Sequence, residues 1–263
     1  MNRKQILGLI GAVLVVALGI GLYSVFRTPE AATGVTAIPL ASNATNPPSN
    51  AAAPTATTAP TTNQPNPTDA PATSAPTEAS QPSGGTTLLE LDATQSEARF
   101  VIDEVLNNAP KTVVGTTKLI AGQIEVNAQD PSQSRVGVIQ VNARDLTTDS
   151  EFRNRAIKNQ ILNTNDFEFV TFTPKTLTGL PTTGEVGKSY TFQMTGDLTI
   201  RDVTKEVTFD VTVTPDSATS LKGLAQTTIK YADFNITIPS VRQVASVSDE
   251  VRLELEFVAQ PVK

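Results

Sequence analysis

Neither cysteine nor histidine occurs anywhere in this 263-residue chain. Without cysteine there is no disulfide framework, no zinc–thiolate site and no lipidation cysteine for a lipoprotein anchor. Without both, the common transition-metal ligands are gone, and so are Ser–His and Cys–His nucleophile pairs. Aromatic side chains are missing before Phe100 except for Tyr23 and Phe26. Positive charge is not in excess: the formal net charge is −6, and the region from Thr86 onward, with 17 basic and 23 acidic groups, carries that −6 itself. A mildly acidic region without basic clusters or interleaved aromatics is a poor match for a phosphate backbone, so no nucleic-acid partner is expected. P-loop, dinucleotide-fingerprint and EF-hand spacings are absent as well.

Charge is also missing from Ile6 through Phe26, a run of 21 residues bounded by Arg3 and Lys4 on one side and Arg27 on the other. As a helix, such a run spans about 30 Å, the thickness of a bilayer's hydrocarbon core. It is long for the apolar region of a signal peptide, and Gly21–Arg27 offers no small-residue cleavage site. Residues 1–27 are therefore expected to be a single-pass transmembrane signal-anchor. Arg3, Lys4 and the amino terminus keep the N-terminus in the cytoplasm, so the C-terminal domain lies outside it. The alternative is a signal peptide that is cleaved, which releases the domain as a secreted protein. A buried soluble helix fits less well, because nothing polar marks a second face.

Residues 28–85 are built from Ala, Thr, Pro, Asn, Ser and Gln, with Glu30, Asp69 and Glu78 as their only charges. Most of the chain's 18 prolines lie between Pro29 and Pro82. Such a stretch buries too little apolar surface to offset its ordering entropy, and it reads as a disordered linker with polyproline II character. A flexible chain of this length has a typical end-to-end distance of roughly 40 Å.

Residues 86–263 change to a period of two. Tyr190, Phe192, Met194, Gly196, Leu198 and Ile200 alternate with Thr191, Gln193, Thr195, Asp197 and Thr199. Val207, Phe209, Val211 and Val213 do the same, as do Val251, Leu253, Leu255 and Phe257. Similar runs near 98–106, 120–126, 136–141, 167–174 and 221–231 bring the expectation to about eight antiparallel strands, each with one apolar face. Such strands must close on themselves or pair with a second sheet. Eight make a barrel with room for a small ligand, as in lipocalins.

One short helix breaks the pattern. Ser150 is its expected N-cap and Asn163 its C′ residue. Phe152, Ala156, Ile157 and Ile161 share one face, and the helix is expected to lie over a barrel end. The inward positions Gly122, Gly196, Gly223 and Ala225 are small. They point either to space for a ligand or to relief of strand curvature.

The run Gly196-Asp197-Leu198-Thr199-Ile200-Arg201-Asp202-Val203-Thr204-Lys205-Glu206-Val207 closely resembles the G-x-L-T-I-x-G-V-T-K-x-V signature of the YceI-like, polyisoprenoid-binding family. The stretch from Arg153 to Phe172 resembles that family's Arg-led helix followed by a strand ending in Thr-Phe. Tyr231 to Ile236 resembles its R-x-D-F-G-I, Val247 to Phe257 its final strand, and Leu91-Asp92 with Ser96 its opening. Four positions depart from the pattern: Gln95 replaces a His, Asp202 and Asn235 each replace a Gly, and Asn154 replaces the Asp of an Arg-Asp pair. Asn tolerates a positive φ, so the turn at 235 is expected to survive.

The resemblance implies an all-β, eight-stranded antiparallel lipocalin-like barrel that binds a long isoprenoid or similar amphiphile, with no cofactor and no enzymatic activity. The expected partners are an apolar isoprenoid or lipid ligand and the membrane, and a homodimer is left open. Expected interior ligand contacts are Phe100, Ile102, Phe192, Met194, Phe209, Val211, Ile229, Leu253 and Leu255, acting through apolar burial. Glu104 shares their strand parity and is the polar group to watch. The competing reading is a filled barrel that serves as a structural or interaction module, and interior volume separates the two.

Overall fold

The computed structural model describes residues 27–40, 85–240 and 244–262. The apolar run Ile6–Phe26, expected to be a transmembrane helix, lies outside the described residues, as does most of the expected linker, residues 41–84. Among the described residues no helix is long and apolar enough to cross a membrane.

Thirteen strands make one antiparallel sheet. They are β1 (Thr86–Leu91), β2 (Glu97–Leu106), β3 (Ala109–Thr117), β4 (Ile120–Ala121), β5 (Gln123–Asn127), β6 (Arg135–Val136) and β7 (Ile139–Asn142). After a helical segment follow β8 (Phe169–Thr178), β9 (Tyr190–Ile200), β10 (Val203–Ser217), β11 (Ser220–Lys230), β12 (Val244–Val247) and β13 (Glu250–Pro261). The sheet path runs β4-β7-β8-β9-β10-β11-β13-β1-β5-β6, with β2 branching from β13 and carrying β3 and β12.

The architecture is thus all-β and antiparallel, as expected, but it is a curled half-barrel of many pieces rather than eight uniform strands. Short pieces arise where the chain kinks. Ile120 and Ala121 pair with Val141 and Gln140 of β7, whereas Gln123–Asn127 pair with β1. The kink falls at Gly122, where a Cβ would run into the Ile139 side chain.

Alternation does what the pattern predicts along β9, where Met194, Gly196, Leu198 and Ile200 are all buried. On the opposite face, threonine hydroxyls pair across the β9–β10 ladder, Thr195 with Thr208 and Thr199 with Thr204, each at 2.8 Å. β13 is paired on both sides: β11 flanks it along its length, while β2 covers Arg252–Glu256 and β1 covers its end up to Pro261. Between β2 and β1, Val258 finds other partners. Its N–H donates to the buried Ser96 hydroxyl at 3.0 Å, and its carbonyl accepts from the Asp92 N–H at 2.8 Å.

The small inward glycines serve packing. Phe257 faces Gly223 across the β11–β13 ladder, and a Cβ on Gly223 would sit 2.6 Å from the Phe257 ring and from the Thr212 carbonyl. Phe100 likewise faces Gly115 across β2–β3. At Gly196 the Phe172 ring and the β8 backbone occupy the space. The curvature-and-packing reading therefore holds at Gly122, Gly196 and Gly223. Of the four small positions, Ala225 lines the main cavity.

Helix α1 (Glu151–Ala156) begins as the sequence predicts, with the Ser150 hydroxyl accepting from the Arg153 N–H at 3.4 Å. It continues as a π-helical turn over Ile157–Ile161 and ends at Asn163 with a left-handed φ of 48°. Phe152, Ala156, Ile157 and Ile161 all line the main cavity, as their shared face predicts, although Phe152 is also 53 % exposed.

Residues 27–40 differ from the expected disordered start of the linker. They lie against the domain, with Ala37 buried and Thr33 and Leu40 hydrogen-bonded to Glu168 and Gln123.

Candidate functional site

The half-barrel encloses a cavity of about 880 Å³, near the upper end of the range typical of ligand sites, about 300–1,000 Å³. Its walls come from β2, β7–β11 and β13, and α1 with its π turn lines the mouth. Seven of the nine predicted contacts line it: Phe100, Ile102, Met194, Phe209, Ile229, Leu253 and Leu255. Phe192 and Val211 do not. They border a separate gap of about 40 Å³ with Leu91, Ile124, Val136 and Phe257.

The physical reason is that strand parity fixes which face a side chain takes but not its depth along the barrel axis. At the β1–β5 end, Leu89, Leu91, Ile124 and Phe257 fill the interior. At the α1 end it is open. Phe172 and Phe209 form an edge-to-face pair, 4.9 Å between centroids, and both line the open part.

Sequence reasoning missed the walls supplied by Val141, Val170, Ile157 and Ile161, and the rim formed by Tyr231, Ile238 and Val244. Ile157 and Ile161 were legible as a buried helical face. Ile238, Pro239, Ser240 and Val244 stand in no periodic run.

Polar groups gather at the mouth. Glu104 is 9 % exposed and faces the cavity, as its parity predicts, and its Oε1 accepts from Arg153 Nη2 at 2.7 Å. Arg153 also pairs with Asp149, and Asp149 Oδ2 accepts from Lys111 Nζ at 2.5 Å. The Lys111 hydrogen bond, helped by the Arg153 charge, holds the Asp149 carboxyl below its usual range against the opposing effect of burial. The result is an alternating chain of two cations and two carboxylates on the lip of an apolar cavity. Asn154, which replaces the family's Asp, is buried; its Oδ1 accepts from the Thr148 N–H at 2.7 Å and from the Thr148 hydroxyl at 2.8 Å. It thereby shapes the loop that presents Asp149.

No cluster of three or more metal-ligating side chains occurs among the described residues. The arrangement can desolvate a long apolar chain and offer charged hydrogen-bond donors, Lys111 and Arg153, to a polar end.

A sequence model of the YceI-like domain matches residues 89–259. No curated protein sequence matches the chain significantly. Among solved structures, BcnA of Burkholderia cenocepacia superposes with a TM-score of 0.53 at 19 % identity, over 65 % of this chain and 99 % of its own. A domain from Saccharophagus degradans, described as polyisoprenoid-binding and implicated in plant cell wall breakdown, superposes with a TM-score of 0.52 at 16 % identity, over 66 % of this chain and 98 % of its own. At such identities the likeness is one of fold.

Proposed function

The chain belongs to the YceI-like domain family, and from that premise we propose that it binds a long apolar or amphiphilic molecule of the polyisoprenoid, quinone or fatty-acyl class and stores or transfers it outside the cytoplasm while anchored in the membrane. The observation that carries the reading is the cavity of about 880 Å³, walled by Phe100, Ile102, Met194, Phe209, Leu253 and Leu255 and open at one end. Each methylene buried there contributes about 0.8 kcal/mol, so a long chain gains affinity by length without specific polar contacts. The charged lip of Lys111, Asp149, Arg153 and Glu104 supports a ligand whose polar end stays at the mouth. The apolar run Ile6–Phe26 supports the anchor.

Native mass spectrometry of the detergent-purified protein, with lipid extraction, tests the binding. A bound species of isoprenoid or acyl mass is the expected result. A ligand-free protein whose crystal structure shows a solid interior would refute it and favour the filled-barrel module.

A further inference from the structure

The segment that leaves the apolar run is gripped by the domain. Arg144, 7 % exposed, reaches the Ala31 carbonyl with Nη1 at 3.2 Å and pairs with Glu168 at 3.2 Å and Glu30 at 3.6 Å. Asn142, fully buried, donates from Nδ2 to the Thr33 carbonyl at 2.7 Å and to Glu168 Oε1 at 2.8 Å. Glu168 Oε1 accepts from the Thr33 N–H at 2.6 Å and the Thr33 hydroxyl at 2.9 Å. Further along, Gln123 Oε1 accepts from the Leu40 N–H at 3.1 Å. Leu40 fits over Gly137, where a Cβ would lie 3.1 Å from its Cγ. These are buried side chains using strap backbone as their partners, which a chain merely draped on the surface does not provide.

The near end of the strap matters most. The Arg27 carbonyl accepts from Asn159 Nδ2 at 2.7 Å. Asn159 belongs to the π turn whose Ile157, Gln160 and Ile161 wall the cavity. The apolar run ends at Phe26, the residue before Arg27. Chain slack between the apolar run and the cavity wall is therefore nil, where a free linker over residues 28–85 would allow roughly 40 Å. On helix α1 and the turn Arg153 is already paired with Glu104 and Asp149, while Arg155 and Lys158 stand against a single acid, Glu151, a charge balance that suits anionic headgroups.

We propose that residues 27–40 are a clamp that docks the open, α1 end of the barrel onto the bilayer surface, so that ligand passes between membrane and cavity without the domain leaving the membrane. The bilayer half of this proposal rests on the anchored reading above; the clamp itself does not. In this arrangement residues 41–84 are an excursion that begins and ends on the domain, and their length does not set its reach.

The absence of native cysteine makes the test clean. In the full chain, a Leu40→Cys/Gly137→Cys pair is expected to oxidise rapidly, and Asn142→Ala with Glu168→Ala is expected to slow it. Oxidation no faster than in a pair placed on unrelated surface would overturn the clamp. A donor dye on Lys158→Cys is then measured against acceptor-labelled lipid in phosphatidylcholine–phosphatidylglycerol vesicles. Strong transfer is expected, unchanged when residues 51–70 are excised and severalfold weaker in the Asn142→Ala/Glu168→Ala background. Protein that floats with the vesicles but shows weak or linker-dependent transfer would overturn the docking. Protein that fails to float would overturn the anchor, and the docking with it, while the disulfide result continues to report on the clamp.

Discussion

Replacing Val170 with phenylalanine tests whether the interior void is a binding site. Val170 lies in β8, paired with Val141 of β7. Both line the cavity, and Val170 is only half-buried although it sits in mid-sheet, so part of its surface meets the void. The substitution adds about four carbons to the wall, close to the volume of one five-carbon unit of an isoprenoid chain. If that unit loses its place, the lost burial is about 4 kcal/mol at roughly 0.8 kcal/mol per carbon, or roughly a thousandfold in Kd. Protein stability should move the other way. Extra carbons forced into a packed core cost about 1–3 kcal/mol, whereas here the ring enters open space and stability is expected to hold or rise. The assay pairs urea denaturation with displacement of a fluorescent polyprenol from the full-length protein. A variant that is destabilised yet binds the polyprenol as tightly as the parent would refute the reasoning.

The remaining expectations concern single contacts. Arg153→Met leaves the Glu104 carboxylate buried without its partner and is expected to lower stability by about 1–3 kcal/mol, with recovery in the Arg153→Met/Glu104→Leu double variant; equal losses in single and double variants on urea titration would contradict this. Gly223→Ala drives a Cβ into the Phe257 ring and is expected to cost about 1–3 kcal/mol, less when Phe257 is leucine, as a double-mutant cycle by thermal melting would show. Asn235, at φ 54°, ends the 3-10 turn Tyr231–Phe234, so Asn235→Gly should be neutral or stabilising by up to about 1 kcal/mol and Asn235→Val clearly destabilising; calorimetry decides. Burial pushes the Glu168 carboxyl up, but hydrogen bonds from Thr33 and Asn142 and the Arg144 charge outweigh it and hold the group below its ordinary value of 4.5. A depressed carboxylate stabilises the docked state above that ordinary value and loses its effect as pH falls through the lowered one. The Thr33 amide NMR signal should therefore report strap release on acidification, and should do so with Glu30→Gln too, which removes the other carboxylate beside Arg144.

The period-two runs made β9, β10 and β13 legible, because each has one wet face and its threonines and charges mark alternate positions. β3 was not legible: Ala109–Thr117 mixes small, charged and branched residues without alternation, and its pairing with β2 is set by the tight turn at Asn107 and Asn108, both at positive φ. The same signature that identifies the family hides a local difference. Its glycine is Asp202 here, and the left-handed residue is Arg201, at φ 58°. Phe192 and Val211 share the inward face, which says nothing of depth. The strap was invisible because its recognition is carried by main-chain groups of Ala31, Thr33 and Leu40, and such groups leave no mark in the side-chain pattern. Its receptor, Asn142, Arg144 and Glu168, comes from the paired ends of β7 and β8, which the helical segment separates in sequence.

β13 has a consequence for biosynthesis. It is the latest in sequence of the described strands, yet it sits in the middle of the sheet, with β11 on one edge and β2 then β1 on the other. A chain emerging N-terminus first, from a ribosome or through a translocation pore, carries β1 and β2 out long before the strand that joins them to β11. Until Pro261 is free, the earliest strands have no partner on that side and the cavity lacks the wall made by Leu253 and Leu255. The domain therefore closes only once Pro261 has emerged, and the half-made sheet, with two open edges, is the stage at which a chaperone would find something to hold.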